Sequence, residues 1–287
     1  MEQAIDLCNL IERYGSEDKC REYLEQLRWP TGVCCIRCGE AEKVYPILGR
    51  GQYVCDSCGY QFSVMAGTIF HDTHLPLWNW FLATYLLCES RKGMSANQIK
   101  RTLGVSYKTA WYLCHRIRAA MAEADGHKLK GIVEVDETYI GGKQHGHKRQ
   151  LKNKAAVIGI RERGAHLHFI HANNVNQQAV YDIIARNVDK TVDVIMTDDS
   201  KPYNFDMTQN EGKHESVNHS AAIESAFSLF KRGIVGTWHK VSTKHLAAYL
   251  QEMTWRFNNR KNPFLFRDTI QKLLNSPNVE YKELTAA

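Results

Sequence analysis

Hydrophobic periodicity divides the chain into segments with different predicted structure. Residues 1–28 carry apolar positions at helical spacing and predict two short amphipathic helices. Residues 29–65 are rich in cysteine and glycine and contain short strand-like pieces such as VYPI and QYVC. Residues 66–130 have a helical pattern, whereas residues 131–265 alternate between strand and helix. We expect residues 266–287 to form a C-terminal tail.

The helical region contains a helix-turn-helix pattern. The run SANQIKRTL, the turn GVS and the run YKTAWYLCHRIRAAM predict two helices, with Ser106 as the N-cap of the second. The buried stripe of that helix is predicted at Ala110, Leu113, Ile117 and Met121. A plain helical hairpin packed on a core is the alternative to a DNA-binding motif. Basic and aromatic side chains on the other faces are predicted to contact DNA: Tyr107, Lys108, Tyr112 and Arg116.

From residue 131 the pattern predicts three strands, a helix and a fourth strand. The strand-like runs are IVEVDETYI, KAAVIGIRER and HLHFIHA, followed by a helix near NQQAVYDIIARNV and the strand VDVIMTD. Two more helices follow, AAIESAFSLFKRGIV and STKHLAAYLQEMTWRFNNR. Apolar residues at helical spacing define the buried face of the first of them: Ile223, Phe227, Phe230 and Ile234. The order of these elements predicts a mixed α/β fold.

The composition is compatible with several domains. The type of partner must be inferred from local motifs. The 287 residues include 37 Lys and Arg against 31 Asp and Glu, a formal charge of +6. This excess favours polyanionic partners but is too small to identify DNA binding by itself. The N-terminus lacks the apolar region of a secretory signal, and the apolar run LPLWNWFLATYLLC is too short to span a bilayer. We therefore expect a cytoplasmic protein with no membrane partner.

Four of the nine cysteines lie in two C-x-x-C pairs, each followed directly by glycine. Cys35 and Cys38 form the first pair, and Cys55 and Cys58 form the second. Such spacing places four thiolates at two tight turns and predicts a closed, structural zinc site. Two redox pairs or buried thiols are the alternative, but neither pair has a thioredoxin-like βαβ context. Cys34 is also open as a ligand, although the two-residue spacing to Cys38 favours Cys35.

Three carboxylates in the mixed region are candidate ligands of magnesium or manganese. Asp136 lies in the strand-like run VEVDETYIGGK, Asp198 ends VDVIMTDD, and Glu224 lies on the helix AAIESAFSLFK. An isolated acid is usually a solvated group or a helix cap. Together, however, these three could hold two metal ions about 3.5–4 Å apart, as in phosphoryl-transfer enzymes. Lys231 follows Glu224 by seven residues, two turns along the same helix face, where it could contact a phosphate. Two neighbouring acids remain alternatives: Glu137 and Asp199.

Several motifs resemble those of the IS1595 family of insertion-sequence transposases, the ISXO2-like group, over roughly residues 20–260. They are CIRCG, CDSCG, YQFSVMAGTIFHDTHLPLWNWF, VEVDETYIGGK and IESAFSLFKRGIVGTWHKVSTKHLAAYLQE. The resemblance implies a ribonuclease-H-like catalytic domain preceded by a zinc ribbon and a helix-turn-helix-like segment. It also implies an acidic DDE triad at Asp136, Asp198 and Glu224, with Lys231 as the trailing basic residue.

The resemblance further implies a reaction and a setting. The reaction comprises binding to terminal inverted repeats, hydrolytic nicking at the element ends, and attack of the freed 3′-hydroxyl on target DNA. Joining of two ends predicts a homo-oligomer on double-stranded DNA. The setting is the bacterial cytoplasm, with nucleoid association when the protein is bound to DNA.

One segment departs from the family pattern. Between VNHS and IES the chain has only Ala221 and Ala222, where the family usually carries a longer segment that commonly ends in His-Thr-Asn. In some relatives an Asn of that segment is regarded as the third metal-ligand position, so Glu224 is less secure than the two aspartates. Activity of this copy therefore stays open. Two alternative functions also remain: a transposase-derived DNA-binding protein without cleavage, and another ribonuclease-H-like nuclease.

Overall fold

A computed structural model describes residues 5–122, 127–141, 154–198, 203, 213–217 and 221–286. Two compact units make up the chain. The first combines Met1–Met121 with Asn262–Ala287, and the second is Ala122–Lys261. The zinc-ribbon and helical segments therefore belong to one unit, together with the C-terminal residues.

The first unit is mainly helical. Its helices are α1 (Leu7–Tyr14), α2 (Glu17–Arg28), α3 (Leu77–Glu89), α4 (Ala96–Leu103), α5 (Tyr107–Met121), α9 (Leu265–Asn275) and α10 (Tyr281–Thr285). Capping side chains define where the first two begin. Asp6 accepts a hydrogen bond from the Asn9 amide at 2.8 Å, and Ser16 accepts one from the Lys19 amide at 3.3 Å.

A small antiparallel sheet separates α2 from α3 in the sequence. Its strands are β1 (Val44–Ile47), β2 (Gln52–Cys55) and β3 (Gln61–Phe62), in that spatial order. Three aromatic rings pack beside it, because Trp29 contacts Tyr53 and Phe62 edge-on with ring centroids 5.8 Å apart in both cases. These contacts provide an apolar core for a sheet that is too small to supply one from its strands alone.

Helices α4 and α5 form the helix-turn-helix predicted from the sequence. Gly104 ends α4 in the left-handed region at φ 67°, and the Ser106 hydroxyl accepts a hydrogen bond from the Thr109 amide at 3.1 Å. The predicted stripe of α5 is fully buried, which confirms the helical periodicity. The helix is also buried on its other faces from residue 113 to the end, so mainly its first turn is exposed.

The C-terminal residues do not form the tail that we expected. Helix α9 packs against α3 and α5 and buries apolar residues at positions i, i+4, i+7 and i+8: Phe266, Ile270, Leu273 and Leu274. This spacing is the ordinary signal of an amphipathic helix. Because its apolar face closes the core of the first unit, α9 is part of that unit's fold.

The second unit is built on a five-stranded sheet. Its strands are β4 (Ile132–Ile140), β5 (Ala155–Glu162), β6 (Leu167–Ala172), β7 (Val194–Thr197) and β8 (Lys213–Ser216). Their spatial order is β6-β5-β4-β7-β8, in which β4, β5 and β6 are antiparallel neighbours, while β7 and β8 run parallel to β4. This arrangement is the ribonuclease-H-like topology, so the predicted α/β fold class is confirmed.

Helices cover both faces of the sheet. Helix α6 (Gln177–Asn187) packs on one face through Val180 and Ile184. Helices α7 (Ala221–Gly233) and α8 (Thr243–Asn258) pack on the other, where Phe227 stacks on Phe169 at 5.3 Å. Strand β5 is buried from both sides, which explains why AAVIGI reads as a continuous apolar run.

Strand β8 was not predicted from the sequence, and its residues KHES are polar. Among the residues that the structure describes, this strand pairs with β7 alone and so lies at the edge of the sheet. An edge strand needs its backbone for pairing but does not need two apolar faces, so it leaves no alternating pattern to detect. The predicted order of three strands, a helix and a fourth strand is otherwise confirmed.

Close packing between β5 and α7 depends on a glycine. A Cβ atom added at Gly159 would lie 2.7 Å from both Ile223 Cδ1 and Phe227 Cζ. Gly159 is also the residue of β5 that pairs directly with Asp136. The absence of a side chain at this position therefore allows α7 to approach the sheet beside Asp136.

We predict that Gly159→Ala destabilises the second unit by about 1–3 kcal/mol, because the added methyl group overpacks the contact between sheet and helix. Thermal unfolding followed by circular dichroism measures the effect. Gly236→Ala is the matched control, since its Cβ would meet no atom within 4 Å. Equal melting temperatures for the wild type and Gly159→Ala would contradict the packing argument.

Candidate active site and metal centre

The register of two neighbouring parallel strands brings together two aspartates, one in the middle of β4 and one directly after the end of β7. Glu134 of β4 pairs with Met196 of β7, and two residues farther along each strand are Asp136 and Asp198. Neighbouring strands are about 4.8 Å apart. The sheet therefore brings together two of the three predicted acids, which are 62 positions apart in the sequence.

Helix α7 contributes the third acid to the same place. Glu224 and Lys231 line a cavity of about 470 Å³ together with Asp136. The spacing of seven residues puts Glu224 and Lys231 on one face of α7, as predicted from the sequence. Arg232 lines the cavity as well, and both cationic side chains are exposed. The cavity thus combines carboxylates with two cations.

Burial and neighbouring carboxylates raise the proton affinity of Asp136. Burial raises the pKa of Asp136 from its ordinary 3.8 to about 6, and the negative charges of Glu137, Asp198 and Glu224 act in the same direction. The Glu137 amide donates to Asp136 Oδ1 at 2.8 Å, which opposes the shift. A bound cation offsets the repulsion between these negative charges, and carboxylate oxygens are the ligands that magnesium prefers.

Glu137, the alternative to Asp136, has a different partner. The hydroxyl of the buried Tyr203 donates to Glu137 Oε2 at 2.5 Å. Burial raises the pKa of Glu137 and of Tyr203, while their hydrogen bond lowers that of Glu137. Asp199, the alternative to Asp198, lies outside the described residues. Asp136 pairs with Gly159 of β5, so its side chain faces α7. Asp136 therefore lies closer to Glu224 than Glu137 does.

Sequence reasoning missed Glu134, the residue that holds α7 against the sheet. Its buried side chain accepts hydrogen bonds from the amides of Ala222 and Ile223, both at 3.0 Å, through Oε2. Its Oε1 pairs with Arg163 Nε at 2.6 Å. A carboxylate is favoured at the first amides of a helix, where the dipole is positive. The available signal was the spacing of two in VEVD, which puts Glu134 and Asp136 on one face of β4.

A second contact holds the same helix end. Arg161 of β5 donates to the Ala222 carbonyl and to Ser225 Oγ, the latter at 3.0 Å. The first turn of α7 is therefore bound to β4 and to β5. Glu224 lies within this turn, so its position beside Asp136 follows from these contacts. Residues 218–220 of the short segment before α7 lie outside the described residues.

The four predicted zinc ligands converge in the first unit. All the Sγ atoms of Cys35, Cys38, Cys55 and Cys58 lie within 4.8 Å of one another. Two of the separations are 3.7 Å, for Cys35 to Cys58, and 3.6 Å, for Cys38 to Cys55. Zn–S bonds of about 2.3 Å in a tetrahedron require S···S separations of about 3.8 Å. The geometry therefore fits a closed four-thiolate zinc site.

Both C-x-x-C pairs form the same turn. The amide of Gly39 donates to the Cys35 carbonyl at 2.9 Å, and that of Gly59 donates to the Cys55 carbonyl at 2.8 Å. Gly39 and Gly59 have φ of 78° and 68°, a left-handed conformation that glycine adopts without strain. This explains the glycine after each pair. The four-cysteine cluster contains Cys35 and not Cys34, as the spacing favoured.

The predicted DNA-contacting residues separate into two groups. Tyr107 and Lys108 lie in the first turn of α5 and are exposed. Tyr112 is half-buried, and its hydroxyl donates to the Val279 carbonyl at 2.8 Å. Arg116 is only 3% exposed. The placement of Tyr112 and Arg116 therefore differs from the expected outward orientation.

Buried partners explain the position of Arg116. Its Nη2 donates to the carbonyls of Ile69 and His71 and to Asn278 Oδ1, the last two at 2.9 and 2.7 Å. Its guanidinium also lies over the Trp80 ring, 4.9 Å from the centroid. An arginine held by these contacts is a structural residue of the helical unit. The expectation that Arg116 reads DNA bases is wrong in this structure, because the side chain does not reach the surface.

Family comparisons agree with this architecture. An ISXO2-like transposase domain matches residues 128–258, and a transposase zinc-ribbon domain matches residues 15–61. Both domains are those of the IS1595 group, and together they span more than half of the chain. The chain belongs to the IS1595 family of transposases.

A curated relative gives a second comparison. The chain is 32% identical over 161 residues to an uncharacterized protein in transposable element ISH50 of Halobacterium salinarum. The match covers 54% of this chain and 53% of the relative. The chain therefore spans about half the length of the curated relative that it matches.

Two solved assemblies are weakly similar to this IS1595-family protein. One is a simian T-cell lymphotropic virus intasome in complex with PP2A regulatory subunit B56 gamma, with TM-score 0.36, 12% identity, and coverage of 70% of this chain and 74% of that one. The other is a pre-cleavage Mos1 transpososome, with TM-score 0.26, 11% identity, and coverage of 66% and 77%. The fold assignment depends on the strand order and not on these values.

Within the described part of this IS1595-family chain, no helix combines the length and apolar character needed to cross a membrane. The apolar helix α3, at 13 residues, packs instead in the core of the first unit.

We predict that Cys35→Ser loses bound zinc, whereas Cys34→Ser retains one zinc ion per chain. Loss of one thiolate opens the tetrahedral site, and structural zinc binding is coupled to folding. Zinc content after gel filtration, measured by mass spectrometry of the metal, gives the result. Zinc loss in Cys34→Ser with retention in Cys35→Ser would reverse the ligand assignment.

We predict that Asp136→Asn raises the melting temperature in buffer without added divalent metal. Because the folded-state pKa of about 6 exceeds the ordinary value of 3.8, the folded protein binds the extra proton more tightly. Wild-type stability therefore falls as pH rises through this window, and the gain in the variant is larger at pH 7.5 than at pH 5. Added Mg²⁺ is expected to stabilise the wild type more than the variant.

The matched control for that experiment is Asp193→Asn, an exposed aspartate at the opposite end of β7. It is expected to melt like the wild type at both pH values. A stabilisation of Asp193→Asn equal to that of Asp136→Asn would show that the gain comes from the overall charge of the protein and not from the carboxylate cluster.

Proposed function

We propose that this chain is a DNA transposase that binds the terminal inverted repeats of its element, nicks DNA at the element ends and joins them to target DNA. The observation that carries the proposal is the cavity where Asp136, on the central strand of a ribonuclease-H-like sheet, and Glu224 meet Lys231 and Arg232. DNA binding alone requires cations and not a group of acids beside them.

The acids at and beside this cavity fit a divalent metal. Asp136, Asp198 and Glu224 would hold magnesium or manganese, since they offer hard oxygen ligands and an excess of negative charge. When bound, the metal would stabilise the attacking and leaving oxygens of phosphoryl transfer. Asp136 and Asp198 come from rigid strands, and Glu224 comes from a helix that Glu134 fixes to the sheet. Such support fixes where the backbone of each acid lies.

Other side chains have distinct proposed roles. Lys231 and Arg232, at the cavity, would contact the phosphates beside the scissile bond, because cations there offset the charge of the DNA backbone. The hydroxyl of Tyr203 orients Glu137 by a hydrogen bond. Asp136 is then the acid of β4 that faces Glu224. The zinc ribbon and the exposed first turn of α5, with Tyr107 and Lys108, would bind the element end.

The proposed chemistry has two phosphoryl-transfer steps. In the first, a water oxygen bonds to the scissile phosphorus, the bond to the 3′-oxygen breaks, and the strand ends in a 3′-hydroxyl. In the second, this hydroxyl oxygen bonds to a phosphorus of target DNA, and the target's own 3′-oxygen leaves with a proton. No oxidant or energy cofactor is needed. Two ends joined in one event imply a homo-oligomer on DNA.

We expect Mg²⁺-dependent nicking of a duplex that carries the element end and its flank, and joined products when target DNA is added. Asp136→Asn and Glu224→Gln should each lower the nicking rate more than about 100-fold, because the bound metal contributes several kcal/mol to the transition state. Asp193→Asn serves as the control, with nicking near the wild-type rate. Denaturing gels map the cuts and the joined strands.

Each outcome assigns a different function. Binding of the duplex by the wild type with no nicking above that of Asp136→Asn would make the protein a transposase-derived DNA-binding protein. Nicking that depends on Asp136 but yields no joined product would make it another ribonuclease-H-like nuclease. Full activity in Glu224→Gln, with loss in Asp136→Asn, would remove Glu224 from the site and leave the two aspartates.

A further inference from the structure

An apolar side chain lies exposed at the carboxylate cavity. Val235 is 74% exposed and lines the cavity together with Glu224, Lys231 and Arg232. Among the described residues, the other large hydrophobic side chains with comparable exposure all belong to the first unit. A solvated valine beside these charged groups has no structural explanation in the core of the second unit.

The backbone holds Val235 in this position. It belongs to a π-helical segment, Ile234–Trp238, that directly follows α7. Trp238 is buried and packs edge-on against Tyr249 of α8 at 4.9 Å, so the end of the segment is fixed. His239 follows with φ 59°, an uncommon conformation for a residue with a side chain. Single π-helical turns inside helices occur frequently at functional sites.

The surroundings of Val235 match the chemistry of a DNA strand. Lys231 and Arg232 supply positive charge for phosphates, and the carboxylates lie on the same cavity. A nucleobase offers the apolar face that a phosphate lacks. A β-branched side chain such as valine has restricted rotamers, so little conformational entropy is lost when a base packs on it. Proteins that distort DNA commonly insert apolar side chains between base steps.

We propose that Val235 packs against the nucleobase next to the scissile phosphate and unstacks it, while Lys231 and Arg232 hold the adjoining phosphates. This inference rests on the proposed function, because the occupant of the cavity is taken to be DNA. Unstacking frees the backbone at the scissile phosphate to enter the cavity between the strand acids and Glu224. The protein should therefore cut a duplex faster when that base is already unpaired.

A fluorescent base tests the contact without cleavage. In the Asp136→Asn background, a duplex with 2-aminopurine next to the scissile phosphate should brighten several-fold on binding, because unstacking relieves quenching. Asp136→Asn with Val235→Ala should bind within about 10-fold of the same affinity and give less than half of the increase. Val235→Leu retains the apolar contact and should behave like the parent. Ile11→Ala, at an exposed position on α1, is the control.

A mismatch separates unstacking from a general loss of activity. In the active protein, Val235→Ala should slow nicking of the paired duplex about 10-fold and nicking of a duplex mispaired at that base less than about 2-fold, since less unstacking is then required. Equal slowing on both duplexes, or an unchanged 2-aminopurine signal in Val235→Ala, would overturn the proposal. Melting temperatures of all variants confirm folding.

The outcomes also separate this inference from the proposed function. If the wild type nicks and Val235→Ala behaves like it on both duplexes, the role of Val235 is wrong and the transposase function stands. If the wild type binds and brightens the probe but does not nick, the contact stands and the cleavage function fails. A bound duplex that neither brightens nor is nicked contradicts both.

Discussion

The position of the candidate active site depends on one buried carboxylate, Glu134. Its two oxygens bind the first amides of α7 at 3.0 Å and Arg163 at 2.6 Å. A buried acid without such partners would cost several kcal/mol, so the helix start and the strand are held to each other. Through this contact, Glu224 of α7 joins the two aspartates of the sheet. The candidate site therefore draws its acids from strands and from a helix. Without this contact, the distance between Glu224 and Asp136 would depend on the hydrogen bonds of Arg161 and on apolar packing.

The same packing that brings the acids together works against stability. Asp136 lies among other carboxylates with a raised pKa, and its strand partner Gly159 gives up a side chain so that Ile223 and Phe227 can approach. The apolar contacts of α7 and α8 with the sheet offset the repulsion between these carboxylates in the folded protein. Like charges held together by an apolar core are typical of sites that bind a counter-ion or carry out proton-dependent chemistry.

Much of this structure could be predicted because its signals are local. The alternation in VEVDETYI, the helical spacing of Ile223, Phe227 and Phe230, and the two C-x-x-C pairs each follow from the geometry of a single element. The exceptions depend on distant partners. The guanidinium of Arg116 donates to backbone carbonyls near residue 70. The role of Glu134 depends on the amides at the start of α7. Strand β8 is polar and is stabilised by its backbone pairing with β7.

The anchoring of α7 also bears on the short segment that precedes it. A missing loop before a catalytic helix would displace that helix if the loop determined where it begins. Here the first turn is bound by Glu134 from β4 and by Arg161 from β5, and the helix is then fixed by Phe227 and Phe230. All these contacts lie within or after the first turn. The location of Glu224 therefore depends on the sheet and not on the number of residues between β8 and α7, so a shortened connection is compatible with an intact set of three acids.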